Sequence, residues 1–87
     1  MIREEVLINN KSGLHARPAS QFVQAASKFK SDIFIDCNGE KINAKSILGV
    51  MAAGLTKGTK IFIEAEGQDE ELATNALVDL IKNKLID

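Results

Sequence analysis

The chain has one histidine, His15, inside the segment Ser12–Ala19, which reads SGLHARPA. Pro18 suits the first turn of a helix, because the first backbone N–H groups of a helix have no partner within it. His15 would then stand at a helix N-terminus, where the partial positive charge and the free N–H groups bind anions. Unprotonated imidazole is a nucleophile near neutral pH. The pattern favours a reversible phosphohistidine, although a surface histidine without a chemical role would show the same pattern.

Phosphate binding at this helix start is expected from Ala16 and Arg17. Ala16 would offer a backbone N–H, and Arg17 a guanidinium that can form two parallel hydrogen bonds with a phosphate. The segment Val6–Lys30 (the acid-free segment) contains no acid and has four bases: Lys11, Arg17, Lys28 and Lys30. Among the charged residues of positions 61–87, by contrast, most are acidic. The contrast either marks a surface that meets anions or arises by chance.

A second candidate is Ser46, which precedes a short apolar run over residues 47–51. Serine is a common helix N-cap, and that is the plainer interpretation. A phosphoserine at a helix N-terminus is also stabilised by the helix dipole, so Ser46 is a candidate regulatory phosphorylation site. So short a helix cannot bury Ile47, Leu48 and Met51 together. These residues are therefore expected to contribute an exposed apolar patch that contacts partner proteins.

Other kinds of site are not indicated. One cysteine and one histidine exclude a disulfide framework and a zinc cluster of His and Cys ligands, so no metal is expected. The sequence has no glycine-rich phosphate loop and no HExxH motif, and no cofactor is expected. Cys37 falls on the same side of a predicted strand as Ile33 and Ile35 and is predicted to be a buried small hydrophobe. These absences argue against a stand-alone enzyme.

Length and composition limit the remaining possibilities. A chain of 87 residues, of which 45% are hydrophobic and 26% charged, suits one globular domain over residues 1–87. The net charge of −1 argues against a general nucleic-acid binder. No apolar run approaches the ~18 residues of a membrane span, and the N-terminal segment has acids where a signal peptide needs bases. We expect a cytoplasmic monomer without membrane insertion.

Hydrophobic periodicity predicts the elements that position these residues. Alternation predicts four strands: Ile2–Ile8, Ile33–Cys37, Glu40–Ala44 and Lys60–Glu66. The Asn38-Gly39 pair is a strong signal for a tight hairpin between the middle two strands. Helical spacing predicts a helix over Ala16–Ser27 and a short helix from Ser46 to Gly54.

The last helix is expected to begin at Asp69, whose side chain would cap it. Its buried stripe is predicted to consist of Ala73, Ala76, Leu77, Leu80 and Ile81. The element order is then βαββαβα. This order predicts an α+β fold, an open-faced β-sandwich with a four-stranded antiparallel sheet and three helices on one face.

The strings GLHARPA at Gly13–Ala19 and AKSILGVM at Ala44–Met51 resemble the histidine-containing phosphocarrier (HPr) family of the bacterial phosphoenolpyruvate-dependent sugar phosphotransferase system. The resemblance covers the whole chain and implies the open-faced β-sandwich of that family. It also implies that His15 carries a phosphoryl group on Nδ1 and that Arg17 assists transfer. Members of the family take this group from enzyme I and pass it to the enzyme IIA domains of sugar permeases.

The resemblance further matches Ser46 to the serine that an ATP-dependent HPr kinase/phosphorylase modifies in many Gram-positive members. An alternative function is therefore a regulatory module whose Ser46-phosphorylated form docks on a catabolite-control transcription regulator. A carrier in a nitrogen-related phosphotransferase chain is another alternative. One branch of the family lacks the histidine, and His15 excludes that branch. Leu48 and the Ala52-Ala53 pair depart from common family residues, which bears on partner affinity.

Overall fold

The structure is a computed structural model and describes residues 1–86. Its strands are β1 (Ile2–Leu7), β2 (Asp32–Cys37), β3 (Glu40–Asn43) and β4 (Lys60–Glu66). Its helices are α1 (Ala16–Ala26), α2 (Ile47–Ala52) and α3 (Glu70–Asp79), and α3 continues into a π-helical turn over Leu80–Lys84. Within this part of the chain the order is βαββαβα, as predicted. No helix in it is long and apolar enough to cross a membrane.

The four strands form one antiparallel sheet in the order β1-β4-β2-β3. Alternate side chains of a strand point to the same face, so the apolar positions of β2 and β4 share one side of the sheet. The helices cover that side. Each contributes to the core with side chains that are at most 1% exposed: Phe22 from α1, Val50 from α2 and Leu77 from α3. The predicted open-faced β-sandwich is confirmed.

The turn between β2 and β3 is made by Asn38 and Gly39, with φ angles of 54° and 88°. A two-residue hairpin that matches the twist of its strands needs both residues in the left-handed region, which Asn and Gly adopt at the lowest cost. The turn sets the register of the hairpin, with Cys37 opposite Glu40 and Ile35 opposite Ile42. The hairpin predicted from the Asn-Gly pair is confirmed.

The prediction that Asp69 caps α3 with its side chain is wrong. Asp69 does precede the helix, but its side chain makes no capping hydrogen bond. Its carboxylate accepts the backbone N–H groups of Lys30 and Ser31, each at 2.9 Å. The Ser31 hydroxyl also donates to it, at 2.5 Å. The carboxylate therefore joins the start of α3 to the turn between α1 and β2, and three donors there outcompete the helix end.

The predicted stripe of α3 is wrong at one position, Ala76, which is exposed. The buried residues step by four, from Ala73 through Leu77 to Ile81. Ala76 precedes Leu77 and lies about 100° around the helix from it, away from the sheet. Thr74 is buried instead, because its hydroxyl donates to the Glu70 carbonyl at 2.8 Å and is thereby satisfied.

Other differences from the predictions are small. The first helix ends at Ala26, β1 at Leu7 and β3 at Asn43, each one residue earlier than predicted. Cys37, predicted to be a buried small hydrophobe, is only half-buried, because it is the last residue of β2, beside the turn. Its side chain packs against the edge of the core.

The face of the sheet that the helices leave uncovered carries a cluster of charged side chains. Arg3 on β1 donates to Glu64 on β4 and to Asp36 on β2, the latter at 2.8 Å. Lys41 on β3 pairs with the other carboxylate oxygen of Glu64 at 3.0 Å. The Arg3 guanidinium also lies 4.0 Å from the centroid of the Phe62 ring. This sheet-face cluster (Arg3, Asp36, Lys41 and Glu64) links all four strands and explains why Glu64 is only 3% exposed.

Candidate functional site

His15 lies immediately before α1, at the helix start where the sequence placed it. Its backbone is extended, with φ −126° and ψ 145°, and its side chain makes no capping hydrogen bond to the helix. The residue is exposed. The first backbone N–H groups of α1 have no partner within the helix, so an anion on the histidine would meet the positive end of the helix dipole.

Ala16, the first residue of α1, adopts a left-handed backbone conformation with φ +48°. Within residues 1–86, Asn38 of the hairpin is the one other non-glycine residue with positive φ. This conformation costs a residue with a side chain roughly 1–2 kcal/mol. Leu14, two residues before Ala16, and Ala19, three residues after it, are buried in the core and hold the chain on either side. Backbone outliers of this kind cluster at functional sites.

Arg17 lies in the first turn of α1 and, like His15 and Ala16, is exposed. No acidic residue lies in that turn. The structure therefore brings the three predicted site residues together at one helix end. The combination of a guanidinium, a positive helix end and a solvent-accessible imidazole suits a phosphoryl group carried on the ring.

Ser46 lies outside this group, at the N-cap of α2. Its hydroxyl oxygen accepts the Gly49 N–H at 3.1 Å, as expected for a capping serine. The exposed fractions of Ile47, Leu48 and Met51 are 38%, 79% and 38%. All three predicted residues therefore contribute to an exposed apolar patch, and Val50 alone of α2 is buried. Because α2 packs against α1, the patch and His15 lie on neighbouring helices.

The bases of the acid-free segment do not form one compact patch around His15. Arg17 lies in the first turn of α1, whereas Lys28 and Lys30 follow its C-terminal end. An eleven-residue helix is about 16 Å long, so the two groups are well separated. Lys45 adds a base at the C-terminal end, where its ammonium donates to the Phe29 carbonyl at 2.8 Å.

Two contacts of the structure, one near each end of α1, are not predicted from the sequence. The Asp69 carboxylate joins two elements, and hydrogen bonds from the Ser31 hydroxyl and from backbone N–H groups lower its pKa to about 2. Gly13 packs against the backbone after α2. Both contacts join residues far apart in sequence, and no local pattern signals them. Among residues 1–86, no group of three or more His, Cys, Asp or Glu side chains is placed to hold a metal ion.

The fold and the site together define a small α+β protein, an open-faced sandwich with one histidine exposed at the start of its first helix. Comparison with known proteins identifies the family. The family model described as the PTS HPr component phosphorylation site matches residues 2–83. The phosphocarrier protein HPr of Neisseria meningitidis serogroup A is 46% identical over 81 residues, 93% of this chain and 91% of that protein.

Two further relatives agree. The HPr-like protein Crh of Bacillus subtilis is 40% identical over 85 residues, 98% of this chain and all of that protein. The crystal structure of HPr-C-His from Thermoanaerobacter tengcongensis superposes with a TM-score of 0.93 at 52% identity, covering 97% of this chain and 94% of that one. The chain belongs to the HPr family of the phosphotransferase system.

Proposed function

We propose that the chain is a phosphocarrier that accepts a phosphoryl group on His15 from phosphorylated enzyme I and donates it to enzyme IIA domains of sugar permeases. The observation that supports this most is the exposed imidazole at the start of α1 with Arg17 in the first turn of that helix. The family match adds to it. The protein works as a carrier between partners and not as an enzyme with its own substrate, and it acts as a cytoplasmic monomer.

The transfer requires little of the carrier itself. The lone pair of Nδ1 attacks phosphorus, the bond from phosphorus to the donor atom of enzyme I breaks, and its electron pair returns to that atom. On the outward step the Nδ1–phosphorus bond breaks in the same way in favour of the acceptor. The Arg17 guanidinium and the backbone N–H groups of Ala16 and Arg17 offset the charge of the bound phosphate. Neutral imidazole attacks directly, so no general base is needed.

The first prediction is that His15→Ala accepts no phosphoryl group while the fold is kept. His15 is exposed and makes no capping hydrogen bond, so its truncation changes the free energy of unfolding by no more than about 0.5 kcal/mol. The assay incubates each protein with labelled phosphoenolpyruvate and enzyme I and measures the acid-labile label. Because the chain has one histidine, acid-labile label that survives in His15→Ala contradicts the assignment.

A regulatory role for Ser46 is the second proposal, favoured by the exposed apolar patch beside it on α2. An HPr kinase/phosphorylase would place the phosphate, and the modified form would dock on a catabolite-control transcription regulator. A phosphate on Ser46 adds about −1.5 to −2 charges at a helix N-terminus that tolerates them.

A carrier in a nitrogen-related phosphotransferase chain is the alternative to a carrier for sugar permeases. The identity of the enzyme IIA that accepts the phosphoryl group distinguishes these two functions.

The exposed base Arg17 beside His15 favours a partner that presents acids to this region. The second prediction is therefore that Ser46→Asp raises the KM for enzyme I by about fivefold at low salt, the effect of one unscreened like-charge contact with such a partner. The increase shrinks as salt rises, because the Debye length falls to about 8 Å at physiological ionic strength. Ser46→Asn is the matched control, since asparagine also caps a helix but adds no charge. Equal KM values for the two variants at low salt would make Ser46 a helix cap and nothing more.

A further inference from the structure

The loop that precedes the histidine, residues 9–14 (the site loop), is anchored at both ends to the connection between α2 and β4. Its start is held by two backbone hydrogen bonds, of 2.9 and 2.7 Å, between Ile8 and residues 58–59. Its end is held by the Leu14 N–H, which donates to the Leu55 carbonyl at 2.8 Å. The histidine follows directly after this second anchor. The connection between α2 and β4 therefore fixes the position of the backbone immediately before His15.

Gly13 makes the second anchor possible. A Cβ added there would overlap the carbonyl oxygen of Leu55 and lie 2.8 Å from the Cα of Thr56. Both are backbone atoms and cannot swing aside as a flexible side chain would. Gly13 also has φ +65°, and its own carbonyl accepts the Asn10 side-chain N–H at 2.7 Å. The chain at Gly13 thus needs both a left-handed conformation and the absence of a side chain.

This double requirement distinguishes Gly13 from Gly39, Gly54 and Gly58, which also have positive φ. A Cβ added at Gly39, Gly54 or Gly58 would meet nothing within 4 Å. At those positions an alanine would suffer backbone strain alone. At Gly13 it would also push the site loop away from Leu55 by about 1 Å, the distance needed to restore ordinary van der Waals contact.

We infer that Gly13 is a positioning residue for His15, acting through the contact of the site loop with the Leu55 carbonyl. The His15 side chain makes no capping hydrogen bond to α1, so the backbone on either side sets the place of the imidazole. Ala16, with its left-handed backbone, follows His15. Leu14, which precedes His15, is buried together with its partner Leu55. The inference rests on the proposed phosphocarrier function.

The test compares Gly13→Ala with Gly39→Ala, which imposes comparable backbone strain at a site with nothing to clash against. At saturating enzyme I, Gly13→Ala is expected to accept the phosphoryl group roughly tenfold to a hundredfold more slowly, because displacement of a reacting atom by about 1 Å has effects of that size. Its KM changes much less. Gly39→Ala stays within about twofold of the unmodified protein in both constants, as expected for a change outside the site.

A second variant covers the case in which Gly13→Ala does not fold. Chemical synthesis can replace the Leu14 amide by an ester, which removes the N–H donor to Leu55 without adding a side chain. The same replacement at Ala44, whose N–H donates to the Ile33 carbonyl at 3.0 Å, is the control. Slower phosphorylation in the Leu14 ester than in the Ala44 ester supports the inference, and equal rates overturn it.

A third readout does not depend on phosphorylation. NMR chemical shifts of the His15 ring nitrogens are expected to move in Gly13→Ala and to stay in place in Gly39→Ala. If the unmodified protein accepts no label from enzyme I, the proposed function fails, and unmoved ring shifts would then overturn the positioning role as well. If the unmodified protein is labelled, a Gly13→Ala rate equal to that of Gly39→Ala overturns the inference alone.

Discussion

At the scale of single residues, the backbone of Ala16 is the least favourable feature of the site, because its φ of +48° suits glycine better than alanine. The third prediction is that Ala16→Gly raises the free energy of unfolding by about 0.5 kcal/mol. Relief of the left-handed strain, roughly 1–2 kcal/mol, exceeds the greater conformational entropy that glycine has in the unfolded chain. Denaturant unfolding followed by circular dichroism measures the change.

Ala76→Gly is the matched control for this prediction. Ala76 is an exposed residue inside α3, where glycine lowers helix stability by about 1 kcal/mol. The two changes are chemically identical, so opposite signs would show that Ala16 is strained. A loss of stability in Ala16→Gly equal to that in Ala76→Gly would mean that position 16 behaves as an ordinary helical residue.

At the scale of elements, Asp69 determines how the start of α3 meets the turn between α1 and β2. The hydrogen bond from Ser31, together with the backbone N–H groups of Lys30 and Ser31, lowers the pKa of its carboxyl to about 2. A carboxyl whose pKa is lower in the folded than in the unfolded chain stabilises the fold above the unfolded value, near 4. That contribution is lost as the pH falls through about 2.

The fourth prediction follows for Asp69→Asn. At pH 7 this variant is less stable than the unmodified protein, and the difference narrows as the pH falls from about 4 to about 2, where the unmodified protein loses the same interaction. Thermal unfolding at a series of pH values measures it. Ser31→Ala, which removes the hydroxyl donor and keeps the carboxylate, is expected to give a smaller difference over the same pH range. A difference for Asp69→Asn that is constant with pH would refute the account.

The same scale shows what local patterns can predict. The sequence predicts the bounds of strand β4 to the residue, because Ile61, Ile63 and Ala65 recur with period two. The Asn38-Gly39 turn follows from the conformations that these two residues tolerate. The contacts of Asp69 with Ser31 and of Gly13 with Leu55 were not predictable. Each contact joins segments about 40 residues apart in sequence. These segments come together only when the helices pack on the sheet, so no local pattern predicts the contact.

At the scale of the whole molecule, the sheet-face cluster fastens the edge strand β1 to the rest of the sheet. Arg3 contacts a carboxylate on each of two further strands, and its hydrogen bond is the main reason that the pKa of Asp36 is lowered. If Arg3 is removed, Asp36 and the buried Glu64 lose a shared cation. Lys41 then remains as the cation paired with Glu64.

The fifth prediction is that Arg3→Met lowers the melting temperature at pH 7, and that the loss shrinks as the pH falls below about 4. The lowered pKa of Asp36 contributes stability above its unfolded value, and protonation of Asp36 removes its interaction with the cation. Lys60→Met is the control, because Lys60 pairs with the exposed Glu5 at 3.6 Å on the same strands. A melting temperature lowered equally by both variants would count against the cluster as a fastening for β1.

The contact of Arg3 with the Phe62 ring has a practical consequence for optical experiments. The chain contains no tryptophan and no tyrosine, so its intrinsic fluorescence is very weak. An indole introduced by Phe62→Trp would be the sole emitter, and it would lie against the guanidinium of β1, to which indole binds more strongly than phenyl. Its emission would follow the detachment of one edge strand, on the face of the sheet away from His15. Fraying of the sheet would thereby become visible separately from the melting of the helices.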